Sequence, residues 1–253
     1  MEERSAFADR FFLFLGNFLA VEAQVGGWAG FQAAQADLVY LAHSPANPKT
    51  EAIVVPEQST IRSVADLKGK RVGLNKGSDV NYLLVAALEK AGLSYKDITP
   101  VYLPPADARA AFQRGAIDAW VIWDPFLAEV ETNAKARQIR NAEGLVPHYT
   151  FYLASRKFAD TYPETAKQVV DELGKLSAWA NSHQDEAAGL LSTSTGLDKA
   201  IWLKTLARLP YGAERMTPAV YNEQQALADT FTRIGLLPVK VDVRSATWSL
   251  DKP

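Results

Sequence analysis

The residues that could do chemistry gather at two places. The first is Lys76-Gly77-Ser78-Asp79-Val80, at the head of the run KGSDVNYLLVAALEKAG. A glycine, a hydroxyl and a carboxylate before a helix-forming run read in two ways. Either Ser78 or Asp79 simply caps a helix, or the loop and helix start hold an anion. The first amides of a helix have no intrahelical acceptor, and the helix dipole adds partial positive charge there. On the second reading Gly77 permits close approach, Ser78 donates its hydroxyl, and the amides of Asp79 and Val80 are further donors. The Asp79 carboxylate must then point away from the anion, and Lys76 is a solvated charge.

The second place is Trp123-Asp124-Pro125, where a strand ends and a helix begins. That junction is the usual ligand edge of a parallel sheet. Trp123 is either a cover for the apolar part of a ligand or a core residue, and Trp120 reads as core. Asp124 reads as the cap of the next helix, with Pro125 in its first turn. Asn47 and Thr50, and Phe151 and Tyr152, lie on two extended segments from which they could touch a ligand.

Other chemistries are excluded or unsupported. The 253 residues contain no cysteine, which rules out thiolate catalysis, cysteine-ligated zinc, Fe–S clusters and disulfides. The three histidines, His43, His148 and His183, lie far apart in sequence and predict no metal site. No cofactor is called for. Glu129 and Glu131 diverge on a helix at i, i+2, so no catalytic residue is assigned. A net charge of −2 gives no field to gather nucleic acid or anionic lipid. The apolar run Phe11–Val21 is too short to span a membrane. The preceding MEERSAFADR is not basic, so the run reads as a strand or helix of the fold rather than an export signal.

The elements that must position these residues follow a regular alternation. LVYLA, EAIVVP, RVGL, ITPVYL, IDAWVIW, ARQIRN and HYTFYLASR read as strands. A short SVADLKGK helix, a helix from about Asp79 to Ala91, PADARAAFQRG and DPFLAEVETNA lie between them. The alternation predicts an α/β fold with a mostly parallel sheet covered on both faces. From Pro163 onward the chain is almost all helix. Lobe one is expected from residues 1–57 and 147–253, and lobe two, inserted, from 58–146. Glu51–Val55 and Tyr149–Arg156 are the expected crossings, a two-strand hinge around a cleft.

The blocks DLKGKRVGLNKGSDVNYLLVAALEKAGL, RGAIDAWVIWDPF and FYLASRKFA resemble the periplasmic aliphatic sulfonate-binding proteins of ABC importers. The resemblance runs from about Ala36 to Trp248, and RGAIDAWVIWDPF is its most specific part. It implies the type II periplasmic binding protein fold and a receptor without catalysis. The ligand would be an alkanesulfonate or a related oxyanion such as taurine or nitrate, held by Gly77, Ser78, Asp79, Val80, Trp123, Asp124, Asn47 and Phe151. The partner would be a membrane permease and the compartment the periplasm.

The resemblance departs at the start. From Ala6 to His43 there is no serine or threonine, and GNFLAVEAQVGGWAG stands where the family has a Gly-Thr-Thr-Gly-type loop. Gly26 and Gly27 keep only backbone amides. Lobe one is therefore expected to be incomplete or altered, and sulfonate affinity to be weak. A receptor remnant acting as an interaction module is the alternative, and a sulfinate-hydrolase-like enzyme a further one. The latter chemistry uses a cysteine that this chain lacks.

Overall fold

The computed structural model describes residues 37–248 and the backbone of Val21–Gln24. Two sheets organise them. The larger contains β3 (Glu51–Pro56), β4 (Arg71–Leu74), β5 (Thr99–Tyr102), β6 (Ala119–Trp123) and β7 (Ala136–Asn141). Its order is β5-β4-β6-β3-β7. β4 is parallel to β5 and β6, while β3 runs antiparallel to both β6 and β7. Four strands thus share one direction, as the alternating pattern predicts. β3 is the exception because it enters from the other sheet rather than through a helical crossover.

Both faces of this sheet are covered, which explains its apolar runs. Ile53, Val55, Val72, Leu74, Ala119 and Val121 point to one face and pack with Leu83, Leu84 and Leu88 of α1 (Asp79–Lys90). Ala52, Val54, Trp120 and Ile122 point to the other. They meet Ala108, Ala111 and Phe112 of α2 (Pro105–Gln113), and Leu127 and Val130 of α3 (Phe126–Asn133). Ser63 caps the short 3-10 helix Val64–Leu67 where the sequence predicts a small helix. Gly73 lies under Ile117: a Cβ there would fall 2.4 Å from Ile117 Cδ1 and the isoleucine would have to shift.

The smaller sheet is antiparallel, in the order β1-β8-β2, from β1 (Val21–Gln24), β2 (Leu38–His43) and β8 (Thr150–Ser155). The helical C-terminal part follows: α4 (Arg156–Thr161), α5 (Pro163–Ser182) and α8 (Pro218–Arg233) cover the sheet, while α6 (Gln184–Thr195) and α7 (Lys199–Leu206) pack on each other. Tyr221, Leu227, Ala228 and Phe231 of α8 pack on Tyr40, Phe151 and Leu153. Val21 of the run Phe11–Val21 begins β1; the rest of that run lies outside the described residues, as does the Gly26-Gly27 segment.

The crossing between sheets lies elsewhere than the sequence suggests. Glu51–Pro56 is an interior strand of the five-stranded sheet, and Thr150–Ser155 is the middle strand of the three-stranded one. The passages are instead the irregular segments before them, Ser44–Thr50 and Ala142–Tyr149. They lie side by side: the Asn47 amide donates to the carbonyls of Pro147 (2.9 Å) and His148 (2.8 Å). Ala142 N–H donates to Pro48 O at 3.2 Å. An apolar run beside turn residues cannot reveal to which sheet it will pair. The five strands of the larger sheet all fall between Glu51 and Asn141.

Trp120 is 1% exposed inside the two-faced core, whereas Trp123 is half-buried at its edge. Trp120→Ala is expected to cost about 3–5 kcal/mol in equilibrium urea unfolding, the range for deleting a buried aromatic. Trp123→Ala is expected to cost clearly less. Equal costs would make Trp123 a core residue and remove it as a cleft wall.

Candidate functional site

α1 begins directly after Gly77, whose φ of 72° suits a residue without a Cβ. Ser78 is the N-cap, with φ −95° and ψ 175°. Its hydroxyl does not cap the helix; it donates to Asn75 O at 2.8 Å. The Gly77 amide donates to Asn81 Oδ1 (3.1 Å), and the Val80 amide to Asp79 Oδ1 (2.8 Å). Both amides are thus already engaged, and of the expected donors Val80 is not free for a ligand. The amides of Ser78 and Asp79 have no acceptor among the described residues. They are the open pair at this helix start.

Asp79 turns its carboxylate away from that pair. Its Oδ2 lies 3.0 Å from His148 Nδ1, and Glu51 Oε2 lies 3.2 Å from the same nitrogen. Glu51 heads β3, and His148 sits in the second passage with φ 49°, a conformation uncommon for a side-chain-bearing residue. Burial alone would lower the His148 pKa, but the Glu51 and Asp79 charges outweigh it and lift it to about 10. Burial pushes the Glu51 carboxyl up, against the opposing pull of His148. The imidazole thus faces two buried carboxylates from distant segments of the chain.

Trp123 stands opposite Glu51 in the β3–β6 register and meets Phe126 edge-on at 6.4 Å. Asp124 caps α3 by accepting from Ala128 N at 2.8 Å, as expected for that position. It has a second role that the sequence does not signal. Arg208, just beyond α7, approaches both of its oxygens at 3.3 Å and also pairs with Glu131. Lys204 of α7 adds a 2.8 Å contact to Glu131. Glu129 pairs separately with Arg109, so the two glutamates diverge. The helical part is thereby clamped to the inserted lobe by charge.

Asn47 is buried, and its Oδ1 has no hydrogen-bond partner among the described residues. It borders a cavity of about 220 Å³ with Ser44, Thr150, Tyr152, Ser177 and Tyr211. Thr50 is used locally, donating to Asn47 O at 3.0 Å. Phe151 is corrected: it is fully buried in the core of the smaller sheet, 5.0 Å from the Tyr40 ring. Alternation along β8 puts Tyr152, not Phe151, at the cavity. Lys76 lies over the Tyr102 ring at 5.5 Å, a cation–π contact. The structure thus groups Asp79 with Glu51 and His148, a meeting that their spacing in the sequence does not signal. Glu51 as a charge heading an apolar strand was the available signal, whereas Arg208 had none.

The chain matches the NMT1/THI5-like family model over residues 29–187. It belongs to that family. It is 40% identical over 218 residues to an aliphatic sulfonates-binding protein of Escherichia coli (strain K12), covering 86% of this chain and 68% of the relative. A Bacillus subtilis (strain 168) protein of the same description is 32% identical, over 84% of this chain and 64% of the relative. The periplasmic aliphatic sulphonate binding protein SsuA from Escherichia coli superposes with a TM-score of 0.85 at 38% identity, covering 90% of this chain and 78% of that one. The alkanesulfonate-binding SsuA from Xanthomonas axonopodis pv. citri, bound to MOPS, gives 0.83 at 41%, over 89% and 78%. The fold of this family member is that of the periplasmic binding proteins. The desulfurization enzyme DSZB shares the fold alone, at 15% identity and a TM-score of 0.65.

Burial raises the Asp124 carboxyl to about 6, against the pull of Arg208. An unfolded aspartate loses its proton near about pH 4. Between the two values the folded chain keeps a proton that the unfolded chain has lost, so the stability due to Asp124 falls as pH rises through that window. Relative to Asp124→Asn, the wild type is expected to be better placed at pH 4 than at pH 7 in urea unfolding of both chains. A difference that stays constant with pH refutes the shift.

Proposed function

We propose that this chain is the solute receptor of an ABC importer and captures alkanesulfonates, or a related small oxyanion, between its two lobes. The observation that carries the reading is the open pair of amides at Ser78 and Asp79, on a helix whose acidic residue is neutralised from behind. A sulfonate spreads one charge over three tetrahedral oxygens and keeps it throughout the biological pH range. It therefore suits fixed N–H donors and a helix dipole rather than a titrating partner. Each charge-assisted hydrogen bond contributes about 1.5–3 kcal/mol, and the dipole about 0.3–2 kcal/mol.

The Ser78 hydroxyl becomes a third donor by leaving Asn75 O for the ligand. Trp123 covers the alkyl part from the end of β6, and Asn47 offers a polar group beside the passage. The sulfonate-binding names of the relatives support this ligand class, and MOPS in the Xanthomonas protein is itself a sulfonate. The same kinship supports delivery to a membrane permease and a periplasmic place of work. No helix among the described residues is long and apolar enough to cross a membrane. We assign no reaction, since the relatives are binding proteins and the chain has no cysteine for the chemistry expected of a sulfinate hydrolase.

The amide can be tested apart from the side chain. Asp79→Ala and Asp79→Pro both remove the carboxylate, but only proline removes the N–H. Proline is tolerated at the first helical position, and Ser78 already has the extended backbone that a following proline demands. Calorimetry with short alkanesulfonates is expected to show Asp79→Pro binding about ten- to a hundredfold more weakly than Asp79→Ala. Equal affinities would exclude the Asp79 amide as a ligand donor.

A further inference from the structure

Sequence spacing predicts no metal site, because the three histidines lie far apart. Folding nevertheless brings one of them against two carboxylates from distant segments. We infer that Glu51, Asp79 and His148 form a binding site for one divalent cation of the zinc class, at the seam between the inserted lobe and the returning passage.

Four observations carry this. First, one ligand atom from each residue falls within 4.8 Å of the others, and all three residues are buried. Second, the close approach is not satisfied hydrogen bonding. A single Nδ1–H cannot point at Oε2 and Oδ2 together, and both Glu51 oxygens, Asp79 Oδ2 and His148 Nδ1 lack a well-formed hydrogen bond. Glu51 is 0% exposed, so no solvent compensates it. Buried polar atoms left this way are ones that a bound ion can complete.

Third, the spacing suits ligands of one ion. The separations of 3.2 and 3.0 Å compare with edges of about 3.3 Å around a tetrahedral centre with bonds near 2.0–2.1 Å. They compare equally with about 3.0 Å around a six-coordinate one. A cavity of about 10 Å³ adjoins the three side chains, room for one water-sized occupant. Gln224 of α8 closes it from the other lobe.

Fourth, the charges call for a cation. No lysine or arginine lines the cavity, and Glu223 lies on its wall. The three side chains offer only lone-pair donors of the kind that a cation takes, two carboxylates and an imidazole. Two carboxylates, a neutral imidazole and a divalent ion sum to zero. Imidazole with carboxylate favours zinc and its transition-metal neighbours over magnesium or calcium, which take oxygen ligands. The positive φ of His148 is the backbone cost of aiming its ring into the cluster.

The full chain, stripped with chelator and returned to metal-free buffer, is titrated with Zn²⁺ by calorimetry and with Co²⁺ by visible absorption. One Zn²⁺ per chain is expected, with Co²⁺ bands of low-coordinate nitrogen and oxygen ligation. Glu51→Gln and His148→Ala should each weaken Zn²⁺ binding on the order of 100-fold, the upper end of what loss of even an outer-shell partner costs. His183→Ala, an exposed histidine remote from the cluster, should bind as the wild type does. Melting with and without Zn²⁺ guards against misfolding: the ion should raise the midpoint of the wild type and of His183→Ala but not of the cluster variants. A folded wild type that takes up no stoichiometric Zn²⁺ overturns the proposal, as does equal uptake by Glu51→Gln. Sulfonate affinity is read separately, so either result leaves the receptor reading standing or falling by its own assay.

Discussion

Helix α1 carries a buried aspartate as its first residue, and the surrounding structure must deal with that carboxylate. Left facing the open amides, the Asp79 carboxylate would itself occupy the place that the proposed anion needs. The fold rotates it backward instead. One oxygen takes the Val80 amide, and the other meets His148. Held in this way, the carboxylate leaves the Ser78 and Asp79 amides clear at the positive end of the helix dipole. Removal of either partner would leave an uncompensated buried charge, which is far more costly than the pair itself.

That arrangement depends on how the two passages meet. His148 reaches Asp79 because the second passage is bound to the first through the Asn47 amide, which holds the carbonyls of Pro147 and His148. Glu51 follows the first passage directly. The cluster therefore joins both passages to the base of α1. On the far side, Arg208 and Lys204 hold Asp124 and Glu131. α1 also meets α8, where Tyr82 packs edge-on against Phe231 at 6.4 Å. The lobes are thus tied at the seam by buried charge and at their flanks by ion pairs and apolar contact.

Most of the elements were legible in the sequence because their signals are local. LVYLA, EAIVVP and RVGL are apolar runs of strand length, and Gly92, Gly115 and Gly235 take positive φ just past helix ends. Ser63 and Thr217 stand at helix starts where a side-chain oxygen is wanted. Pairing was less legible. EAIVVP looks the same whether it joins one sheet or the other, and which neighbour it finds is decided by packing over long separations. The candidate site was half legible. The position of the open amides follows from the helix start, but their occupancy does not: Asn81 takes the Gly77 amide from four residues downstream. Phe151 and Tyr152 could be told apart only by register. Arg208 reaches Asp124 across 84 positions, a distance at which no spacing rule applies.

The order β1-β8-β2 has a kinetic corollary. β1 and β2 do not pair with each other; both wait for β8, which lies beyond the whole inserted lobe in the chain. All five strands of the larger sheet, by contrast, come from one unbroken stretch. As the chain emerges from the ribosome, the inserted lobe can complete its sheet while the smaller one still lacks its middle strand. Until β8 arrives, β2 lacks the strand it pairs with and, through it, its link to β1.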